Sequence, residues 1–122
     1  MKKIIEIVAI VLIVGVIGYI FITRNNEEKE VIKYVNENYI QLEEVVRNNA
    51  SYDNKYIKKV EEKNDLVIFY VKDKVGFYYS KDDQVKTIDG HTNLLGLGDN
   101  KYSWDNGTII KVRDKWYYFK LK

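Results

Sequence analysis

From Ile4 to Ile22 the chain reads IIEIVAIVLIVGVIGYIFI, nineteen residues carrying a single charge, Glu6. No other feature limits the fold so severely. A helix rises about 1.5 Å per residue, so this run reaches roughly across the hydrocarbon core of a bilayer. Glu6 lies within a turn of the start, beside Lys2 and Lys3, where its carboxylate can reach the interface and avoid the bilayer centre. The run is apolar on every side, and a chain of 122 residues has too little protein to wrap such a helix. We read it as an uncleaved single-pass anchor that meets membrane lipid through residues 4–22. The competing reading is a cleaved signal peptide with Lys2 and Lys3 as its basic head. Against it, the run exceeds the usual apolar stretch of about 7 to 15 residues and no A-x-A motif follows.

Basic residues nearly balance across the segment, Lys2 and Lys3 before it and Arg24, Lys29 and Lys33 after it. The immediate flanks favour Lys2 and Lys3 on the cytoplasmic side. That places the N-terminus inside and the C-terminal domain outside the cell membrane. The expected organisation is an anchor over 1–24 and an extracytoplasmic domain over 25–122.

A second helix is expected over 26–48. Asn25 with Glu28 three residues on can form a capping box, and Glu27, Glu28 and Glu30 suit the positive end of the helix dipole. Ile32, Val35, Tyr39, Leu42 and Val46 then recur on one face of a 3.6-residue period. From about residue 55 the pattern changes to short runs rich in Val, Ile, Tyr and Phe, separated by Lys, Asp, Asn and Gly, as antiparallel strands and their turns require. Five or six strands are expected: 55–61, 65–72, 75–80, 84–88, 108–112 and 115–121, with 89–107 a long connection. The fold class is α+β, the amphipathic helix packed on an antiparallel sheet.

Leu66 to Val71, Tyr78-Tyr79 and Trp116-Tyr117-Tyr118-Phe119 are apolar at successive positions. Successive strand residues point to opposite faces, so the helix can cover only one row of these side chains. The second row is enclosed by a curled sheet, covered by the 89–107 connection, or left open as a binding surface. The third choice makes Tyr78, Trp104, Trp116 and Tyr118 the candidate binding residues.

Composition narrows the chemistry. The 20 basic residues against 18 acidic ones are interspersed, which leaves no nucleic-acid footprint. Without cysteine there is no thiolate zinc site, iron–sulfur cluster or thiol nucleophile. The one histidine, His91, stands beside Asp89, which could orient it as a general base, yet Ser51, Ser80 and Ser103 lie in no G-x-S-x-G setting. Asp82, Asp83, Asp89, Asp99 and Asp105 follow no EF-hand spacing and suit turns better. No cofactor or metal is expected, and an enzyme using Asp89 and His91 is the weaker alternative.

Through Gly76-Phe77-Tyr78-Tyr79-Ser80-Lys81-Asp82-Asp83, Ser103-Trp104 and Trp116-Tyr117-Tyr118-Phe119, the chain resembles small uncharacterised membrane-anchored or secreted proteins of Gram-positive bacteria. The resemblance covers about the last seventy residues and implies an extracytoplasmic bacterial domain without implying catalytic residues. The functional expectation is a non-enzymatic domain that binds a protein or cell-envelope component. A membrane-bound immunity or self-protection protein is the other binding reading.

Overall fold

The computed structural model describes residues 27–48, 54–91 and 93–122, and the fold set out here is that of the unit Val31–Lys122. The expected anchor, 4–22, and the Asn25 cap lie outside the described residues. Among the described residues no helix is long and apolar enough to cross a membrane.

Helix α1 spans 27–48. Its fully buried stripe is Val31, Val35 and Leu42, flanked by half-buried Ile32, Tyr34, Tyr39 and Val46. The stripe is therefore turned slightly from the expected one, and Val31, not Ile32, opens it. Asn38 falls near the centre of the same face, and its amide donates to the Tyr34 carbonyl oxygen at 2.8 Å, so the polar group is satisfied where it is half-buried.

Seven strands follow: β1 Lys59–Lys63, β2 Leu66–Lys72, β3 Val75–Ser80, β4 Leu95–Gly98, β5 Lys101–Trp104, β6 Gly107–Arg113 and β7 Trp116–Leu121. They form one antiparallel sheet in the order β1-β2-β3-β7-β6-β5-β4. Two meanders, β1 to β3 and β4 to β7, thus meet at the central pair β3 and β7. The segment 81–94 carries the chain from β3 to the far edge, and we call it the strap.

Three strand expectations are corrected here, and the count rises from five or six to seven. The first strand is Lys59–Lys63 and not 55–61, since Lys55 and Tyr56 form a turn. The run 84–88 alternates like a strand but joins no ladder. Its amides turn to side chains: Gln84 N–H reaches Ser80 Oγ at 3.2 Å, and Lys86 N–H donates to the Tyr78 hydroxyl at 3.1 Å. The run lies over the sheet, with Val85, Ile88 and Leu94 packed down onto it. Conversely, the supposed connection 89–107 contains β4 and β5, which form a hairpin across Asp99 and Asn100, both left-handed with φ of 51° and 63°. Asn64 and Asp65 do the same between β1 and β2, with φ of 54° and 63°. Asn and Asp tolerate this backbone better than other side-chain-bearing residues, which makes them turn formers in a chain without proline.

Both faces of the sheet are cores. On the helix side Val67, Phe69, Val71, Val75, Phe77, Trp116 and Tyr118 pack under Val31, Val35 and Leu42. On the strap side Leu66, Ile68, Tyr78, Ile109, Tyr117 and Phe119 pack with Ile88 and Trp104. Ring stacks bind neighbouring strands on each face, Phe69 on Phe77 at 4.9 Å and Tyr78 on Tyr117 at 5.1 Å between centroids. Helix and sheet are also joined by polar contacts. The Trp116 indole N–H donates to Glu43 at 3.2 Å, and the Arg113 guanidinium lies 3.3 Å from the centre of the Tyr39 ring.

Gly76 lets the central strands close. A Cβ there would stand 2.1 Å from the Phe69 carbonyl oxygen and 3.0 Å from the Phe119 ring. Backbone cannot yield as a flexible side chain can. Gly76→Ala is expected to destabilise the domain by about 1–3 kcal/mol or more, measured as a lower urea midpoint; an unchanged midpoint would contradict this packing.

Candidate functional site

The strap holds the densest set of polar contacts, and three aspartates build it. Asp82 accepts from Ser80 Oγ at 2.8 Å and from Lys86 Nζ at 2.9 Å. Asp83, left-handed at φ 53°, fastens the start of the strap to the β6–β7 turn. Its carboxylate accepts the Lys115 amide at 2.6 Å, the Tyr117 hydroxyl at 3.1 Å and Lys111 Nζ at 3.3 Å. Asp89 fastens the far end: it accepts the Trp104 indole N–H at 3.0 Å, the Asn106 amide at 2.6 Å and the backbone N–H of His91 at 3.2 Å.

These contacts set the electrostatics. Hydrogen bonds from Lys86 and Ser80 pull the Asp82 carboxyl down to about 2. The Lys115 amide, helped by Lys111 and Tyr117, lowers Asp83 against a smaller opposing effect of burial. Burial is the largest single influence on Asp89 and raises it, but Asn106, Trp104 and the His91 amide together outweigh burial and leave the carboxyl well below the usual range. Burial pushes the Tyr78 and Tyr117 phenols up, the second reinforced by the charge of Asp83.

The chemistry available to Asp89 and His91 follows from this arrangement. Asp89 is ionised at neutral pH and committed to structural donors, and His91 Nε2 lies 3.8 Å from its Oδ2, beyond hydrogen-bond range. The two also open into different clefts. His91 lines one of about 490 Å³ with Asn64, Lys86 and Thr87, whereas Asp89 lines one of about 350 Å³ with Tyr70, Asn106 and Leu121. Thr87 Oγ1 donates to the His91 carbonyl oxygen at 2.5 Å, and Ser80 Oγ is fully buried against Asp82 and Gln84. A base aligned by an acid toward a nucleophile is not what these residues form. Among the described residues, no three His, Asp or Glu side chains are grouped to hold a metal ion.

The four aromatic residues singled out for binding lie inside the fold. Tyr78 and Trp116 are 0% exposed, Tyr118 2% and Trp104 6%. Trp116 and Tyr118 face α1, while Tyr78 and Trp104 lie under the strap. The row that the helix cannot cover is therefore covered from the other side by the strap, 81–94, whose Leu94 belongs to the expected connection 89–107; most of the rest of that connection lies within the sheet as β4 and β5. The sequence signal that could have revealed this is Val85, Ile88 and Leu94, three apolar residues spaced along an Asp-rich segment.

Open apolar surface lies elsewhere. Of the exposed large hydrophobic side chains among the described residues, Ile40 and Val60 stand on separate elements, but Leu95 and Leu97 share the four-residue strand β4 and are 64% and 57% exposed. β4 pairs only with β5, so its outer edge carries unpaired backbone groups among the described residues. Leu95 stands opposite Ser103, and Ser103 opposite Thr108, which puts Leu95 on the helix side of the sheet.

The carboxylates give the strap an acid dependence of known sign. Their folded pKa values lie below the unfolded value of about 4, so their stabilisation is complete above that pH and is lost as pH falls through the folded values. Stability is expected to drop between about pH 4 and 2, and Asp89→Asn should lower stability at neutral pH while flattening that drop. Urea titrations followed by tryptophan fluorescence test both; an identical pH slope in the variant would contradict the assignment. Comparison of the chain with protein-family models, curated proteins and solved structures finds no match.

Proposed function

We propose that the protein is a membrane-tethered, non-enzymatic interaction domain, held outside the cell membrane by residues 4–22 and binding a protein or envelope component through the β4 edge. The tether is supported by the nineteen-residue apolar run. The binding function rests on one observation, the pairing of two exposed leucines with an open strand edge that carries no charge. Natural sheets blunt their edges with charge, bulges or covering segments. The opposite edge, β1, has Lys59, Glu61, Glu62 and Lys63 in a five-residue strand, whereas β4 has no charged residue.

This surface suits strand addition, in which main-chain hydrogen bonds supply affinity and side chains on alternate positions supply selectivity. Full-length protein expressed in bacteria should remain in membranes after alkaline carbonate extraction, and external protease should digest residues 27–122 in spheroplasts. Recovery of full-length chain in the soluble fraction, or of a mature form beginning after Gly18, would overturn the tether.

A further inference from the structure

The β4 edge has a sequence property that selects its partner. Antiparallel strands must oppose residues that present their hydrogen-bonding groups alike, so a strand pairing with its own copy centres on a residue and not between two. Centred on Gly96, such a pairing sets Leu95 opposite Leu97 of the second copy, Gly96 opposite Gly96, and Leu97 opposite Leu95. Centred on Leu97, it would set Leu95 against the carboxylate of Asp99. The segment Leu95-Gly96-Leu97 is thus its own complement in one register.

We propose that β4 pairs antiparallel with β4 of a second copy about a two-fold axis through Gly96, joining two seven-stranded sheets into one. This names the partner of the β4 edge and rests on reading that edge as the binding strand, but not on the membrane tether. All four leucines lie on the helix side, where Leu97 and Gly98 oppose Lys101 and Lys101 opposes Ile110, so the new apolar cluster extends the row that ends at half-buried Ile110.

Gly96 has room for a side chain on the strap face to which it points. A Cβ on Gly96 would meet nothing within 4 Å, and its φ needs no glycine. The extra residue on β4 opposite Lys101 and the left-handed Gly98 at φ 83° bend the strand beyond Leu97, which confines the pairing to 95–97 and fixes its register.

Charge selects this edge over the other. Self-pairing of β1 about Glu61 would set Lys59 against Lys63 and Glu61 against Glu61, and like charges directly opposed across strands are unfavourable. Pairing of β1 with β4 would lay charged side chains against the leucines and, being heterologous, would leave each copy with one edge still open. Two copies joined through β4 close the assembly and leave only the charged edges outward. Three paired residues a side bury less than the roughly 1,200 Å² of stable complexes, so the dimer should depend on concentration.

The chain lacks cysteine, so Gly96→Cys supplies a single thiol on the proposed axis. Full-length Gly96→Cys in mild detergent, oxidised with copper phenanthroline, should yield a covalent dimer, whereas Val60→Cys on β1 should stay monomeric. Mixed Leu95→Cys and Leu97→Cys chains should cross-link in the same register, giving a second readout should Gly96→Cys fold poorly. In sedimentation equilibrium the full-length chain should dimerise reversibly, and Leu97→Lys, with unchanged circular dichroism, should weaken the dimer at least tenfold. Cross-linking at Gly96 no greater than at Val60, or a dimer indifferent to Leu97→Lys, would overturn the proposal. If Leu97→Lys instead abolished retention of a different protein while Gly96→Cys stayed monomeric, self-pairing would fall and the β4 binding reading would stand.

Discussion

Consecutive aromatic side chains in a strand cannot share a face, and most of this structure is a response to that rule. β7 sends Trp116 and Tyr118 to one side and Tyr117 and Phe119 to the other, while β3 divides Phe77 from Tyr78. A sheet with one helix on it would leave half of these rings in water. The protein has only one described helix, so the second cover is made from irregular backbone, and irregular backbone over an apolar core needs other partners for its amides.

Those partners are side chains placed by the strap itself or by the strand ends beneath it. Ser80, Asp82 and Asp89 accept strap amides that a ladder would otherwise pair, and Asp83 and Asp89 also accept the Lys115 amide, the Tyr117 hydroxyl and the Trp104 indole N–H. The hydrogen bonds that keep the cover down are charge-assisted and short, as at Lys115 and Asn106. The aspartates therefore act as fasteners, and the hydrogen bonds they accept account for their depressed pKa values.

Periodicity made the helix, β2, β3, β6 and β7 legible, because in each a strong apolar pattern coincides with a buried face. Val85-Lys86-Thr87-Ile88 misled, since alternation identifies a run with one buried face but not whether it lies beside a sheet or across it. Leu95-Gly96-Leu97-Gly98 misled in the other direction, because glycine weakens strand propensity and the hairpin depends on left-handed Asp99 and Asn100. The candidate site suffered from the same uncertainty. Tyr78, Trp104, Trp116 and Tyr118 stood out by side-chain type, but their accessibility depends on where the strap passes, and that is a tertiary fact.

The crossing from β3 to the far edge also sets the entropy of closing the sheet. The central ladder joins Tyr79 to Trp116 and Val75 to Lys120, positions about forty residues apart, whereas every other ladder joins strands linked by a short turn. Local hairpins form cheaply, but a distant pairing must first meet the entropy of closing its loop. The pairing that unites the two meanders thus carries the largest closure entropy of any ladder among the described strands, and a shorter strap would lower it only slightly, because that cost grows with the logarithm of loop length.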